Sequence, residues 1–342
     1  MLYGNVELHN TDEIKDSPNG GVLLQRVPDS VRLHLNEGAQ QRLLDPAGGE
    51  IRFVSDSGSA KVTLSGADGE VKVVPFFGGF RHGEPFTVGR EPQTVEIAMT
   101  ERFQKDLPAL EKLEMPFSPR VCRLMLRGAQ VCFRGVEGDG VRPPTAEELP
   151  ALRYLSYGTS ITHGAAAAWP HLAYVSQVAR RLGADLLNFG VGGACHCEPE
   201  FADYFASRDD WHVATLALSV NMMGFTHEEF RKRVTYMVNT VAGSNTKRPV
   251  ACITIWSYFG DREIDPDAHD THGKADDFRQ ILREVVAECP HPNAHLLEGR
   301  EMLSDYTGLT TDLIHPADDG MIQMGENIAR RLLPLVAQMP RS

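Results

Sequence analysis

The sequence predicts two domains of different fold class, an all-β sandwich or jelly roll followed by an α/β domain with a parallel sheet flanked by helices. A chain of 342 residues is longer than one small core needs. Short alternating apolar and polar runs fill about residues 20–135, whereas apolar runs alternate with helical patterns after residue 152. A connection rich in Gly, Pro and acidic residues lies at 136–151. We therefore expect a β-domain at 1–148 and an α/β domain at 149–342.

The first domain is predicted to consist of antiparallel strands. Side chains of a strand point alternately to its two faces, so a period of two is typical of half-buried strands, and many such strands suggest a sandwich or jelly roll. The runs that show this period are SVRLHLN, EIRFVSD, AKVTLSG, EVKVVPFF, QTVEIAM and CRLMLRG. Four aromatic residues, Phe76, Phe77, Phe80 and Phe86, form a binding surface or fill the domain interface, and we favour the interface.

The second domain is predicted to alternate strands with helices, which gives a parallel sheet covered on both faces because the crossovers are right-handed. Its candidate strands are LRYLS at 152, ADLLNF at 184, VATLALS at 213, PVACITIWS at 249 and NAHLLEG at 293. Its candidate helices carry apolar faces at Leu172, Val175, Val178 and Leu182, at Phe230, Val234, Val238 and Val241, at Phe278, Ile281, Leu282 and Val285, and at Met321, Met324, Ile328 and Leu332.

Composition argues against several classes of partner. The net charge of −12 disfavours nucleic acid and anionic membrane surfaces. No secretory signal and no membrane-spanning apolar run is found, so we expect a soluble cytoplasmic protein. The six cysteines form no CxxC pair and indicate no disulfide framework.

No metal site is expected. Cys195, His196 and Cys197 are immediate neighbours, which rarely converge on one ion, and no HExxH motif occurs. The histidines of HDTHG (His269, His272) and PHPNAH (His291, His295) are attributed to solvated loops.

Polar and glycine residues follow three successive predicted strands, where ligands bind to open parallel sheets. Ser160 follows the first strand in YGTSITHG, Gly193 follows the second in NFGVGGACHCEP, and Asn221 follows the third in LSVNMMG. The amides of Ser160 and Gly193 and the side chain of Asn221 are candidate donors of an oxyanion hole. Each residue also has a structural interpretation, as a helix N-cap, a loop glycine or a turn former.

The last loop before the C-terminal helix supplies an acid and a base. Asp312 and His315 lie three residues apart in TTDLIHPADDGM, so the carboxylate can reach Nδ1 if the loop turns, which leaves Nε2 to face Ser160. A serine hydroxyl needs such a base to act as a nucleophile, and the base needs a carboxylate to fix its tautomer. The alternative is a loop in which Asp312 caps a backbone amide and His315 packs. The joint occurrence of these residues favours catalysis.

These four blocks resemble those of the SGNH hydrolase superfamily, the GDSL-type esterases, over about residues 152–338. Ser160 matches the family serine, Gly193 and Asn221 match the second and third blocks, and Asp312 with His315 matches the DxxH of the last. The resemblance implies a flavodoxin-like sheet, no metal or organic cofactor, and acyl transfer through an acyl-serine. Thr159 replaces the usual aspartate, and SVNM stands where GxND is common, so substrates of the lipase-like branches do not carry over.

The order of the two domains resembles the subgroup in which a jelly-roll module precedes the hydrolase. That module either contacts the substrate or only stabilises or oligomerises the protein. We expect a hydrolase of short acyl esters, such as acetyl groups on a sugar or glycoside. The alternatives are an acyltransferase with an alcohol acceptor, and a carbohydrate-binding protein with a silent second domain.

Overall fold

The N-terminal part of the computed structural model, which describes residues 1–261 and 274–339, is a sandwich of two antiparallel sheets. One sheet has the order β1-β2-β5-β11-β7-β8, with β9 also paired to β7, and the other has the order β10-β6-β12-β4-β3. The strands are β1 (Leu2–Tyr3), β2 (Val6–His9), β3 (Glu13–Asp16), β4 (Val22–Gln25), β5 (Glu50–Phe53), β6 (Ser59–Gly66), β7 (Val71–Phe77), β8 (Phe80–Arg81), β9 (Phe86–Val88), β10 (Gln93–Ala98), β11 (Cys122–Gly128) and β12 (Val131–Glu137).

Alternating side chains of the two sheets form the core of the sandwich. In β6, Ala60, Val62 and Leu64 are buried while Lys61 between them is exposed. They belong to one apolar cluster with residues of the facing sheet such as Leu124. The predicted all-β sandwich is confirmed.

Three helices interrupt the strands of this part: α1 (Asp29–Arg32), α2 (Glu37–Arg42) and α3 (Glu101–Leu110). The strand predicted for SVRLHLN is therefore wrong, since this run contains the end of α1 and the turn that leads into α2. Asn36 ends the run as an N-cap, with its side-chain oxygen accepting a 3.0 Å bond from the Ala39 amide. Leu35 and Ala39 pack into a core cluster of the α/β part and not between the sheets.

The helix α3 was missed because its sequence, ERFQKDLPAL, is polar and contains Pro108. Thr100 caps it by accepting a 3.3 Å bond from the Phe103 amide.

The C-terminal part is a parallel sheet with helices on both faces, as predicted. The sheet order is β14-β13-β15-β16-β17, which is the flavodoxin-like order of strands 2-1-3-4-5. The strands are β13 (Arg153–Gly158), β14 (Asp185–Gly190), β15 (Val213–Ala217), β16 (Val250–Ile253) and β17 (Ala294–Leu297). The helices are α4 (Ser160–His163), α5 (Tyr174–Leu182), α6 (Pro199–Ser207), α7 (His227–Ser244), α8 (Lys274–Glu288), α9 (Gly299–Met302) and α10 (Asp318–Ala337).

Successive residues of β13 pack on opposite layers of this part. Tyr154 lies in the cluster with Val178 of α5 and Met324 of α10, whereas Leu155 lies in the cluster with Phe205 of α6 and Val234 of α7. The helical faces predicted from sequence are the faces that cover the sheet. No helix of the described residues has the length and apolar character needed to cross a bilayer.

The aromatic residues of β7–β9 have different environments. Phe76 lies at the contact between the two parts, with its ring 5.8 Å from that of His171. Phe77 is buried in the sandwich core, and Phe86 packs against that core. Phe80 is 41% exposed. The interface position predicted for all four therefore holds for Phe76 and is wrong for Phe77 and Phe86.

Candidate active site

Ser160 lies at the carboxyl end of β13, at the start of the short helix α4. The chain passes from β13 to β14 on one side of β13 and then returns to β15 on its other side. The strand order therefore reverses between β13 and β15, and a crevice opens at the carboxyl ends of these two strands. Helix α4 packs closely on the end of β14, since a Cβ built on Gly190 would lie 2.3 Å from the His163 amide nitrogen. Only glycine at position 190 allows this approach, and the approach fixes the position of Ser160.

The Ser160 hydroxyl oxygen lies 2.8 Å from His315 Nε2. His315 Nδ1 in turn lies 2.7 Å from Asp312 Oδ2. The structure thus brings together the three side chains predicted to form a nucleophile, base and acid. In the tautomer in which Nδ1 donates to this carboxylate, Nε2 is unprotonated and accepts a hydrogen bond from the Ser160 hydroxyl.

The loop between Thr310 and His315 is tightly closed on itself. The other oxygen of Asp312, Oδ1, accepts bonds of 2.9 Å from the amides of both Ile314 and His315, and 2.8 Å from the Thr310 hydroxyl. Leu313 has a φ of 58°, which is left-handed backbone that non-glycine residues seldom adopt. Asp312 therefore caps backbone amides, as in the structural interpretation, and also hydrogen-bonds the His315 ring, while its catalytic role stays a prediction.

The pKa of the Asp312 carboxyl is shifted downwards. Partial burial acts to raise this pKa, but the amide hydrogen bonds from His315 and Ile314, with those of the His315 ring and Thr310 hydroxyl, outweigh it and hold the pKa well below its usual value. The carboxylate therefore stays ionised beside His315 throughout the neutral pH range.

Ser160, His315, Gly193 and Asn221 line one cavity of about 570 Å³. The Asn221 side-chain oxygen accepts a 3.2 Å bond from the Cys195 amide, so its Nδ2 is the donor that remains for the cavity. Gly193 has a φ of 73°, which favours glycine. Ser219, two residues before Asn221, has a φ of 107°. This sparsely populated backbone conformation lies in the turn that leads into Asn221.

Sequence reasoning missed the wall of this cavity that the sandwich part supplies. Arg42, Asp45 and Arg127 line it, although they are far from Ser160 along the chain. His163 also lines it, and its Nε2 lies 3.0 Å from Asp45 Oδ2. Burial lowers the pKa of the His163 imidazole and so favours its neutral form. The position of His163, one helical turn after Ser160, could have indicated that it lines the same cavity. No local pattern indicates Arg42, Asp45 or Arg127.

Another wall of the cavity is mostly apolar and comes from the segment after β16 and from the histidine loop. It is formed by Ile255, Trp256, Tyr258 and Ile314.

The candidate metal ligands do not converge. Among residues 1–261 and 274–339, no group of three or more His, Cys, Asp or Glu side chains is arranged to hold an ion. Cys195 and Cys197 are buried in the core of the α/β part, while the His196 ring packs 5.1 Å from that of Phe225. His269 and His272 lie outside the described residues.

The fold and this geometry define an α/β protein with a serine, a histidine and an aspartate hydrogen-bonded in series at the carboxyl edge of its sheet. The model of the GDSL-like Lipase/Acylhydrolase family matches residues 153–333, just over half of the chain. The chain belongs to this family, within the SGNH hydrolase superfamily. No match is found among curated proteins.

Solved structures share the fold of the whole chain at low sequence identity. A salicylyl-acyltransferase from a tetracycline biosynthetic pathway aligns with a TM-score of 0.76 and 17% identity, covering 98% of this chain and 96% of that one. A protein from Bacteroides ovatus described as a GDSL-like lipase gives 0.69 and 16%, covering 97% and 98%. A family two carbohydrate esterase from Clostridium thermocellum, in complex with cellohexaose, gives 0.61 and 14%, covering 97% and 99%. The two-part arrangement is therefore shared by esterases and an acyltransferase.

Proposed function

We propose that this protein is a serine esterase that cleaves short acyl esters, with Ser160 as nucleophile, His315 as general base and Asp312 as its acid partner. The observation that carries the proposal is the unbroken series of hydrogen bonds, 2.8 Å from Ser160 to His315 and 2.7 Å from His315 to Asp312, opening on a cavity.

The reaction follows from these contacts. His315 Nε2 takes the hydroxyl proton while the Ser160 oxygen attacks the ester carbonyl carbon, and Asp312 stabilises the resulting imidazolium. The amides of Ser160 and Gly193 and the Nδ2 of Asn221 donate to the carbonyl oxygen as it becomes negative, each donor contributing about 10²–10³ in rate. The imidazolium then protonates the departing alcohol, and an acyl group remains on Ser160. Water activated by the same imidazole releases the acid.

Support for a short acyl group comes from the bulky apolar side chains of Ile255 and Trp256 in a cavity of about 570 Å³. Structures of carbohydrate esterases among the fold neighbours support an acylated sugar as the alcohol part. No metal or organic cofactor enters this mechanism.

The test is turnover of short-chain p-nitrophenyl esters and acetylated sugars, with Ser160→Ala as the blank. We expect hydrolysis by the wild type and a fall of about 10⁶ in kcat for the variant, the order seen when such a nucleophile is removed. A fluorophosphonate probe should label Ser160, as read by peptide mass spectrometry.

Equal turnover by Ser160→Ala and wild type would contradict the proposal. It would favour the alternative of a carbohydrate-binding protein with a silent second domain.

A second candidate is transfer of the acyl group to an alcohol acceptor. The apolar wall formed by Trp256, Tyr258 and Ile314 favours it, because a dry cleft disfavours water as the second nucleophile. The similar fold of a salicylyl-acyltransferase also supports it. Measuring how product partitions between acid and ester as alcohol acceptors are added separates the two, since a hydrolase shows no saturable acceptor.

We further propose that the chain divides near residue 148 into an accessory β-domain and a hydrolase domain. The accessory domain contributes Arg42, Asp45 and Arg127 to the cavity, which supports a role in shaping the cleft. A chain that begins at residue 149 should therefore lose activity even where it folds.

A further inference from the structure

Two basic side chains form one wall of the cavity in front of Ser160. Arg42 comes from the end of α2 and Arg127 from β11, so both belong to the sandwich part. The chain has a net charge of −12, so its average surface does not explain a basic wall. Among the described residues that line the cavity, Asp45 is the one carboxylate.

These arginines bond to backbone carbonyl groups. Arg42 is exposed, and its Nε lies 3.4 Å from the Gly192 carbonyl oxygen. Arg127 donates to the carbonyl oxygens of Gly164 and Ala167, the latter at 3.2 Å. Within the described ranges no ion pair joins either guanidinium to a carboxylate, although Asp45 and Asp318 attract Arg127 electrostatically from a longer distance.

Asp45 has other partners. Its Oδ1 accepts a 3.1 Å bond from the Gly128 amide, and its Oδ2 faces His163 at 3.0 Å. The positive charge of the wall is therefore only partly offset.

The position of Arg42 is fixed by a buried arginine behind it. Arg26 is 2% exposed and donates to carbonyl oxygens of both parts of the chain. In the sandwich part it reaches Arg42 at 2.6 Å and Asp45 at 2.7 Å; in the α/β part it reaches Asn188 at 2.9 Å and Gly190 at 3.1 Å. Through these hydrogen bonds Arg26 connects the segment of Arg42 and Asp45 to the segment of Asn188 and Gly190, which continues into Gly193. The backbone of Arg42 is thus held at a defined position relative to the segment that carries Gly190.

A guanidinium presents donors in a planar fork that matches a carboxylate or a phosphate. Inside a cleft with low-dielectric walls, its attraction for an anion is stronger than at an open surface. We propose, on the basis of the esterase function above, that the ester substrate carries an anionic group, a carboxylate or a phosphate, that Arg42 and Arg127 bind while its carbonyl carbon lies at Ser160.

The test compares matched neutral and anionic esters. Methyl 3-acetoxybenzoate, 3-acetoxybenzoate and 3-acetoxyphenyl phosphate place no charge, a carboxylate or a phosphate on the alcohol side. The pair 4-nitrophenyl hexanoate and the 4-nitrophenyl monoester of adipic acid places the charge on the acyl side. We expect at least one anionic ester to exceed its neutral partner in kcat/KM by about tenfold or more at low ionic strength. The advantage should shrink as salt is added, because salt screens charges.

The matched variants are Arg42→Gln, Arg42→Lys and Arg90→Gln. A hydrogen bond between charged groups contributes about 1.5–3 kcal/mol, so Arg42→Gln should lower the ratio of anionic to neutral kcat/KM by about tenfold to a hundredfold. Arg42→Lys should restore part of that ratio, since it keeps the charge. Arg90 is likewise exposed and bonds a backbone carbonyl, that of Asp68, but lies outside the cavity, so Arg90→Gln should keep the wild-type ratio.

Two results would overturn the inference while leaving the esterase intact. One is equal kcat/KM for neutral and anionic esters in every matched set. The other is an Arg42→Gln variant that lowers both members of a pair to the same degree. Failure of every ester together with an unlabelled Ser160 would instead overturn the esterase function itself.

Discussion

At the scale of single residues, the candidate site combines groups that the sequence indicated with groups that it did not. Ser160, Asp312 and His315 were found because their chemistry depends on a short local spacing and on strand ends, and the contacts expected of them are present. Their catalytic roles stay predictions. Arg42 and Arg127 were not found, because a residue that enters a cavity from another part of the fold leaves no local pattern.

Asp312 offers a prediction at this scale. Asp312→Asn keeps a side-chain oxygen for the amides of Ile314 and His315 but replaces the acceptor of the His315 Nδ1 proton with a donor. The imidazole is then held in the wrong tautomer, so kcat should fall by about 10⁴. Steady-state kinetics on a short ester measures this, with circular dichroism to show that the fold is kept.

The matched control for Asp312→Asn is Asp305→Asn. Asp305 also caps a turn, accepting a 2.9 Å bond from the Thr307 amide, but it does not line the cavity. A loss in Asp312→Asn no larger than that in the control would contradict the role of Asp312.

At the scale of elements, strands and helices with a regular period were predicted well. Each candidate strand of the α/β part overlaps an observed strand. Strands such as β14, β15 and β16 are buried on both faces and therefore have continuous apolar runs, whereas the edge strand β17 is only partly buried. The short helix α1 was predicted as a strand, since the apolar residues of SVRLHLN fit a period of two as well as one turn of a helix. The packing of α1 against the α/β part decides between a strand and a helical turn. This contact is tertiary, so a local pattern does not reveal it.

The loop of Leu313 gives a prediction about strain. This residue is 44% exposed and has a φ of 58°, a conformation that a β-branched side chain tolerates least. Leu313→Val should destabilise the protein by about 1–2 kcal/mol and lower kcat, because the strain displaces Asp312 relative to His315. Leu313→Gly should keep kcat within about twofold, because glycine adopts this conformation freely.

Urea unfolding and ester kinetics provide both measurements. Leu333→Val is the control, because Leu333 is 47% exposed and lies within helix α10 with no left-handed backbone. There the same substitution costs only a few tenths of a kcal/mol. Equal effects of Leu333→Val and Leu313→Val would show that the backbone at position 313 carries no strain.

At the scale of the whole molecule, a buried cluster of charges joins the two parts, and the sequence did not indicate it. Arg52 of β5 is fully buried, and its Nη1 lies 2.8 Å from Asp185 at the start of β14. Glu50 and Arg123 extend this cluster on the sandwich side. The buried His9 lies beside it, and its burial and the nearby Arg52 charge lower the pKa of its imidazole and keep the ring neutral. Arg52 lies between Ile51 and Phe53, which belong to the sandwich core, and its own side chain contacts the α/β part through Asp185.

The pKa of Asp185 is held well below its usual value, because the attraction of Arg52 and its hydrogen bonds outweigh the cost of burial. Since this folded-state pKa is depressed, the carboxylate stabilises the fold above the ordinary carboxyl pKa of about 3.9, and the stabilisation is lost as the pH falls below it. The pKa of Glu50 is lowered to about 2 in the same cluster, because the attraction of Arg123 and Arg52 outweighs the cost of burial.

Asp185→Asn should therefore destabilise the protein by about 3 kcal/mol at pH 7, because removing one partner leaves the buried Arg52 incompletely neutralised. Calorimetry should show a Tm lower by about 5–10 °C. The gap between wild type and variant should narrow below about pH 4, where the wild type loses the same contribution. Asp209→Asn, an exposed change in the loop before β15, is the control and should shift Tm by little. A gap that stays constant from pH 7 to pH 3 would show that the Asp185 charge does not stabilise the contact between the two parts.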